Sequence, residues 1–463
     1  MFPLLLFIIA IPFLSILLLI VLPETLSKRI QQISSIIVLI LSLLLVFSFS
    51  SNIQTLIQPI TFSYLGFSGG FQVTQTTLIL ELMSAIVFTA SSIGIGYFIK
   101  DNIRLYSILF ALIQGSSIAL FLSSNLLLLY VFWEIAEFSM FFIIYLYGST
   151  NRKYASIKFI IYSLISSLFL LIAILLIYAN VSPNTFQISQ IIASASTIPV
   201  SIQELALLFL VVSFMIKIPV FPFHNWLPDA HTEAPTTGSM ILAGILLKFG
   251  GYGLILTSLM LPIFSKYTIY LASIFIISSI YSVLVAIRQK NLKRIIAYSS
   301  ITDMAIVSLG IASNSSIGIN GALYGMLGHA ISICMLFLLA GTLKEIYGSL
   351  DLSVLKGIMK DYASLAYLFI AGVFATVGIP LTIGFIADIL IFGAAFTAFG
   401  LFGLIPLISI ILLGSVMFWV IERVFLNGRA TPNGYVIKSV FYSEIFLLFL
   451  SVLLGIIPFV LLH

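Results

Sequence analysis

Apolar runs long enough to cross a lipid bilayer recur along the whole chain. A transmembrane helix needs about 20 consecutive, mostly apolar residues. Fourteen such runs lie at residues 3–22, 31–50, 76–99, 105–123, 125–147, 157–179, 204–226, 237–262, 267–287, 295–313, 317–343, 363–398, 401–425 and 440–462. Only 8% of the 463 residues are charged, too few to cover a soluble domain. The pattern predicts an all-α polytopic membrane protein with about 14 transmembrane helices.

Lysine and arginine fall almost entirely in alternate connections between these runs. Lys266 lies in an even-numbered connection, and Lys217 and Lys248 lie within runs. The other seventeen follow odd-numbered runs: Lys28, Arg29, Lys100, Arg104, Arg152, Lys153, Lys158, Arg288, Lys290, Lys293, Arg294, Lys344, Lys356, Lys360, Arg423, Arg429 and Lys438. Because cytoplasmic loops are enriched in these residues, we expect the odd connections in the cytoplasm and both termini outside the cell membrane. The net charge of +5 therefore reflects loop orientation rather than a nucleic-acid partner.

Two runs contain signals that break a helix. Pro219 and Pro222 interrupt the seventh run, and residues 378–385 (GIPLTIGF) interrupt the twelfth. The broken helices are five apart, so two five-helix units would cross the membrane in opposite directions, an arrangement that marks transport sites in many transporters. We predict four segments: helices one to three at 1–104, a first repeat at 105–262, an inverted second repeat at 263–425, and a last helix at 426–463.

Once the loop charges are set aside, a short list of titratable side chains is predicted to lie at membrane depth. They are Glu81, Glu134, Glu137, Lys217, Lys248, Asp303, His329 and Asp388. A charge at membrane depth costs about 2.5–3.5 kcal/mol on insertion scales, and such groups usually pair or line water. Burial favours the neutral form of a lysine and a nearby carboxylate favours its charged form, so a buried pair can exchange a proton. We therefore predict an ion pair between Lys217 and Glu134.

Each of these residues also has a structural interpretation. Lys217 and Glu134 can form a static ion pair, and Lys248 can extend its amine to the membrane surface. The imidazole of His329 can simply satisfy a neighbouring carbonyl, and Asp303 can lie at the interface, close behind a basic loop. Glu137 shares a helix face with Glu134, and its only role can be to influence the charge of Glu134.

The sequence contains no motif for a cofactor or a metal ion. Cys334 is the single cysteine, which excludes an internal disulfide and a thiolate-bound iron–sulfur cluster. His224 and His231 are seven residues apart with Pro228 between them, a spacing that fits no zinc motif and favours a structural loop. We expect this chain to carry out no redox chemistry itself.

Three segments resemble a known family. Residues 217–256 begin with KIPVFPFHNWLPDAHTEAP, residues 132–134 read FWE, and residues 291–300 read NLKRIIAYSS. Together they resemble the antiporter-like subunits of respiratory complex I, and within that group the NuoM-type chain. The sequence of the long segment, which contains both His224 and His231, favours complex I over the related Mrp-type sodium/proton antiporters and membrane-bound hydrogenases.

The resemblance implies roles for several residues. Glu134 and Lys217 match the family's pair on helices five and seven, Lys248 its lysine on helix eight, and His329 a histidine on helix eleven. Asp388 stands where relatives usually have glutamate, so the acid is kept with a shorter reach. Asp303 stands where many relatives have histidine. Glu134, Lys217, Lys248, His329 and Asp388 are thus the expected proton-transfer residues, with Glu137 and Asp303 as secondary candidates.

The resemblance also implies a function and its partners. We expect a proton-translocating subunit of a redox-driven pump, driven by quinone reduction in other membrane subunits. The quinone, the iron–sulfur clusters and the flavin or other electron-input cofactor would be held by those partners. The alternative is a subunit of an Mrp-type cation/proton antiporter or of a hydrogenase-type ion pump.

Overall fold

A computed structural model describes residues 4–51, 59–64, 67–428, 431, 432, 434 and 436–458. Arg429, which is among the loop charges above, and both chain ends lie outside the described residues, as does part of the predicted segment 426–463. A two-stranded antiparallel hairpin, β1 (Ile60–Tyr64) and β2 (Phe67–Phe71), lies between the second and third long helices.

The rest of the described chain is almost entirely helical. The α-helices, in chain order, are α1 (Leu4–Val21), α2 (Ser27–Ser50), α3 (Gln75–Ile93), α4 (Ile95–Phe98), α5 (Ile103–Leu122), α6 (Leu126–Tyr147), α7 (Arg152–Asn180), α8 (Ile188–Ala193), α9 (Val200–Lys217), α10 (Trp226–Glu233), α11 (Thr236–Ile241), α12 (Leu247–Met260), α13 (Phe264–Ala286), α14 (Leu292–Ala312), α15 (Ser316–Tyr347), α16 (Ala363–Val377), α17 (Ile383–Phe399), α18 (Leu407–Ile421) and α19 (Lys438–Ile456). A π-helical segment at 242–246 joins α11 to α12.

The predicted all-α membrane fold is confirmed. Fourteen helical segments of the described chain are long and apolar enough to cross a membrane. They correspond one by one to the fourteen apolar runs: α9 forms most of the seventh, whose last residues form the break before α10, and α16 and α17 form the two parts of the twelfth. The inverted relationship of the two five-helix units, and the division into four segments, stay predictions.

Helix ends follow from polar residues between the runs. The side chain of Asn125 accepts hydrogen bonds from the amides of Leu127 and Leu128, at 2.8 and 3.2 Å, and begins α6. Asn291 caps α14 in the same way. Such caps satisfy amides that a first helical turn cannot bond internally. With such a cap, a single polar residue is enough to begin a new helix shortly after the previous one ends.

Contacts between connections support the alternation of the loops. On one face, Lys344 after the eleventh run donates to Ser149 after the fifth at 2.9 Å, and Lys293 after the ninth donates to the carbonyl of Ala234 after the seventh at 2.8 Å. On the opposite face, a β-bridge joins Asn125, at the start of the fifth run, to Gln187, between the sixth and seventh. Further hydrogen bonds from Arg104 to the carbonyl of Leu22, from Tyr147 to that of Asn102 and from Lys360 to that of Gly428 add the first, third and thirteenth connections to the same side. We call the side on which these odd-numbered connections meet the basic face.

Burial divides the helices into central and peripheral ones. In the most apolar part of each helix, all residues of α11–α12 and of α15 are buried and 94% of those of α14 are buried. In α1, α2 and α7 only 39% of these residues are buried. The peripheral helices expose leucine, isoleucine and phenylalanine, as helices facing lipid or a partner do. Most of the titratable residues within the runs belong to, or contact, the central helices.

Candidate functional site

The break in the seventh run positions Lys217. α9 ends at this residue, and Pro219 and Pro222 follow, where each proline removes an amide donor and disfavours helix in the residue before it. The freed groups are bonded within the protein: the indole nitrogen of Trp226 donates to the carbonyl of Ile216 at 3.0 Å. The amide of Phe221 donates to Ser278 at 3.1 Å. The break is therefore a fixed structure that holds Lys217 at the end of a helix.

Lys217 lies in an aromatic enclosure that also contains one carboxylate. Its side chain is 1% exposed and its ammonium donates to Glu137 in an ion pair. Four rings lie 5.5–5.9 Å from the ammonium: those of Trp133, Phe159, Trp226 and Phe249. Aromatic faces attract a cation, so the enclosure partly replaces the hydration that the lysine loses on burial.

The partner of Lys217 differs from the one predicted. The sequence indicated Glu134, but the carboxylate that contacts Lys217 belongs to Glu137, one turn further along α6. Both residues share a helix face, and a shift of three residues is about 4.5 Å along the axis, which brings Glu137 to the depth at which α9 ends. Glu134 is half-buried, and its buried Oε1 has no hydrogen-bond partner in the described part of the chain. Its role in proton transfer stays a prediction.

Lys248 and His329 form a direct contact in the centre of the bundle. The Lys248 amine lies 2.6 Å from Nδ1 of His329 on α15 and 2.6 Å from the carbonyl of Ala243. That carbonyl belongs to the π-helical segment before α12, where the wider hydrogen-bond register frees carbonyls from the usual helical ladder. Lys248 is 0% exposed, so the amine does not reach a membrane surface as the structural interpretation required.

A small cavity connects His329 with the two aspartates. It has a volume of about 40 Å³ and is lined by Asp303, His329, Asp388, Ser332 and Thr376 among others. A water molecule needs about 10–15 Å³ of such volume, so two or three fit. The position of Asp303, which the sequence left between an interfacial and a functional role, is thus on the same cavity as Asp388.

The break in the twelfth run shapes this cavity. Gly378 ends α16 with φ +73°, and Asp388 Oδ2 lies 2.5 Å from the place where a Cβ on Gly378 would be. A side chain at residue 378 would therefore collide with the carboxylate and also strain the backbone. The glycine lets the carboxylate of Asp388 approach the broken end of α16.

Apart from Glu134, the residues predicted to transfer protons fall into two groups. Glu137 and Lys217 form the first, and Lys248, His329, Asp303 and Asp388 form the second. Phe249 lies between them, since its ring faces Lys217 while its chain neighbour Lys248 contacts His329. The two histidines of the long segment pack against aromatic rings, His231 on Phe337 at 4.5 Å between ring centres and His224 against Tyr281 at 5.1 Å.

One buried carboxyl is not among the predicted residues. Glu444 on α19 is 0% exposed, and neither of its oxygens has a hydrogen-bond partner within the described residues. It lies six residues after Lys438, so the sequence alone is equally consistent with a surface position. The only available signal was its place inside the apolar run 440–462.

Comparison with known proteins shows the family of this chain. Residues 123–415 match the family described as NADH:quinone oxidoreductase/Mrp antiporter, TM. The chain is 36% identical over 374 residues to NADH-quinone oxidoreductase subunit M of Rickettsia prowazekii (strain Madrid E), covering 79% of this chain and 75% of that protein.

Two solved structures share the fold. A chain of respiratory complex I from Thermus thermophilus with bound NADH has a TM-score of 0.88 and 23% identity, covering 98% of this chain and 96% of that one. A chain of the membrane-bound sulfane sulfur reductase, an archaeal respiratory membrane complex, has a TM-score of 0.87 and 22% identity, covering 98% and 94%. Both are chains of larger membrane assemblies.

Proposed function

Since this chain belongs to the NADH:quinone oxidoreductase/Mrp antiporter family of transmembrane proteins, we propose that it translocates protons as the NuoM-type subunit of a complex I-like pump. The observation that carries the proposal is the Lys248–His329 contact in the bundle centre, between the Glu137–Lys217 pair and the cavity of Asp303 and Asp388. Buried ionisable groups in series at membrane depth are the typical parts of a proton relay.

The Glu137–Lys217 pair acts as the switch of this relay. While the pair is formed, the carboxylate stabilises the charged ammonium. When a conformational change separates the two groups, the buried ammonium loses that stabilisation and releases its proton toward Lys248. Glu134, half-buried one turn away on the same helix face, is a further proton-transfer group beside the pair.

The second group carries the proton onward. Lys248 passes a proton to Nδ1 of His329 along their hydrogen bond, and water in the cavity links His329 to Asp303 and Asp388. The cavity has room for the water molecules that this step needs. Asp388, beside the broken end of α16, is the last acid before the face opposite the basic face.

The assembly supplies the driving reaction. Quinone reduction in other membrane subunits drives the switch, and those partners hold the quinone, the iron–sulfur clusters and the electron-input cofactor. The protein lies in the cell membrane with the basic face cytoplasmic and both termini outside, an orientation that the excess of lysine and arginine in the odd-numbered connections supports.

The test is proton pumping by the purified complex in proteoliposomes. We expect Lys217→Ala to lower the pumping yield per quinone reduced by roughly tenfold or more, since it removes a proton-transfer group. Lys266→Ala is the matched control, because Lys266 is 61% exposed in a surface pair with Glu204. Full pumping by an assembled Lys217→Ala complex would contradict the proposed function.

The second candidate is a cation/proton antiporter or hydrogenase-type pump without quinone reduction. It is favoured by the breadth of the family, whose description includes Mrp antiporters. The subunits that co-purify with the chain discriminate: quinone-site and iron–sulfur subunits indicate the first function, and other antiporter subunits the second. Sodium movement that is driven by an imposed proton gradient, without quinone reduction, would also favour an antiporter.

A further inference from the structure

We propose that Glu444 is a further proton-binding residue of this subunit, located between the basic face and the Lys248 site. The inference rests on the proton-translocating function proposed above and adds a residue to its path. α19 carries none of the residues predicted to transfer protons.

The position of Glu444 is deep for its place in the helix. It lies six residues after Lys438, about 9 Å along the axis of α19, yet its side chain is 0% exposed. The adjacent Ser443 donates a hydrogen bond to the carbonyl of Ala90 on α3 at 3.3 Å. α19 is thereby docked on α3, and the carboxyl of Glu444 is enclosed by protein and kept from lipid.

The surroundings of Glu444 connect it to the bundle centre. α19 packs against α3, α15, α16 and α17. α15 packs against α19, and His329 of α15 contacts Lys248. The sulfur of Cys334, also on α15, is 3.5 Å from the carbonyl of Met240 and 3.2 Å from the place of a Cβ on Gly244, in the π-helical segment that leads to Lys248. α15 therefore packs against both the helix that carries Glu444 and the segment that leads to Lys248.

A structural role does not explain this carboxyl. Buried carboxyls that stabilise a fold are bonded to donors or paired with cations, whereas both oxygens of Glu444 are unpartnered in the described part of the chain. The other acidic and histidine side chains within the apolar runs on the helices around α19 are already engaged: Glu81 on α3 accepts from Ser42, and His329 and Asp388 belong to the cavity site. An enclosed carboxyl of this kind is retained with a bound proton.

That proton can be passed to Lys248. The O–H bond of the Glu444 carboxylic acid breaks and an N–H bond forms on a neutral Lys248 amine, which leaves a carboxylate and an ammonium. The carboxylate is then reprotonated from the basic face, the nearer membrane face. Glu444 thus gives Lys248 an access route that does not pass through Lys217.

Pumping by variant complexes tests the route. In the purified complex in proteoliposomes, we expect Glu444→Gln to lower the proton yield per quinone reduced by roughly tenfold, with quinone reduction and assembly retained. Glu444→Asp keeps the acid and should restore part of the yield. Ser443→Ala is the matched control, since it removes the neighbouring side chain and its helix contact but no proton-binding group, and should pump normally.

Infrared spectroscopy supplies a readout that a structural role would not change. Redox-induced difference spectra of the wild-type complex should contain a carboxylic acid C=O band that Glu444→Gln removes and Glu444→Asp shifts. If Glu444→Gln does not assemble, Glu444→Asp decides, and an unshifted band overturns the proposal. Normal pumping by Glu444→Gln together with loss of pumping by Lys217→Ala would refute the role of Glu444 alone. Normal pumping by both would refute the proposed function itself.

Discussion

The side-chain nitrogen of Lys248 lies 2.6 Å from Nδ1 of His329. A lysine ammonium can only donate, so Nδ1 accepts and a neutral His329 carries its own proton on Nε2. Transfer of one proton along this bond converts a charged lysine and a neutral histidine into a neutral lysine and a charged histidine. The contact joins α12 to α15 and connects the two halves of the chain through titratable groups.

The contact predicts different results for two variants of His329. His329→Leu removes the acceptor, and His329→Gln keeps an acceptor but cannot carry a proton onward. If the contact transfers protons, both variants should lose pumping by roughly tenfold or more. Proton uptake by proteoliposomes at a fixed rate of quinone reduction is the measurement. Normal pumping by His329→Gln would reduce the contact to a structural hydrogen bond.

The Glu137–Lys217 pair predicts a stability effect that distinguishes the two glutamates of α6. Glu137→Gln leaves a buried ammonium without its partner, which typically costs about 3–5 kcal/mol. Glu134→Gln, at a half-buried site, should cost much less. Thermal unfolding of the detergent-solubilised complex compares the two variants.

A double variant tests whether the loss of stability comes from the unpaired charge. Glu137→Gln combined with Lys217→Met removes both charges and should recover most of the lost stability, because no unpaired charge stays buried. Equal destabilisation by Glu134→Gln and Glu137→Gln would show that the observed pairing is not maintained in the complex.

The close approach of Asp388 to Gly378 predicts a cost for any side chain at residue 378. Gly378→Ala should destabilise the protein by about 1–3 kcal/mol, since φ is +73° and the new methyl group would lie 2.5 Å from the carboxylate. It should also reduce pumping by displacing Asp388. Gly393→Ala on α17 is the control, because a Cβ there meets nothing within 4 Å. Equal melting temperatures for the two variants would contradict the predicted collision.

Ser42 on α2 donates a hydrogen bond of 2.5 Å to Glu81 on α3. We expect the protein to be less stable when this hydrogen bond is removed. Ser42→Ala leaves a buried carboxyl oxygen without its donor and should lower the free energy of unfolding by about 1–3 kcal/mol. Glu81→Gln retains an acceptor for the same hydroxyl and should cost less. Thermal melting of the assembled complex measures both, and a larger effect of Glu81→Gln would indicate a further role for the Glu81 charge.

Much of the fold was predictable because a membrane imposes strict rules on a chain. Length and hydropathy located the fourteen crossings, and the positions of lysine and arginine predicted which connections share a face. Proline and glycine marked the interruptions before α10 and α17, since their backbone effects act within one or two residues. Lys217, Lys248, His329 and Asp388 were recognisable as candidates because a charged group within an apolar run is rare.

The sequence by itself therefore determined the class of protein, the number of membrane crossings and the short set of residues able to carry charge within the membrane. These properties depend on local composition and spacing. Only the tertiary structure decided which of those residues touch: that Lys217 pairs with Glu137 and not Glu134, that Lys248 reaches His329, and that Asp303 shares a cavity with Asp388. Such pairings depend on the rotation and relative depth of packed helices. One helical turn advances about 5.4 Å, which is more than the length of a hydrogen bond, so an error of one turn in the relative depth of two helices changes which side chains touch.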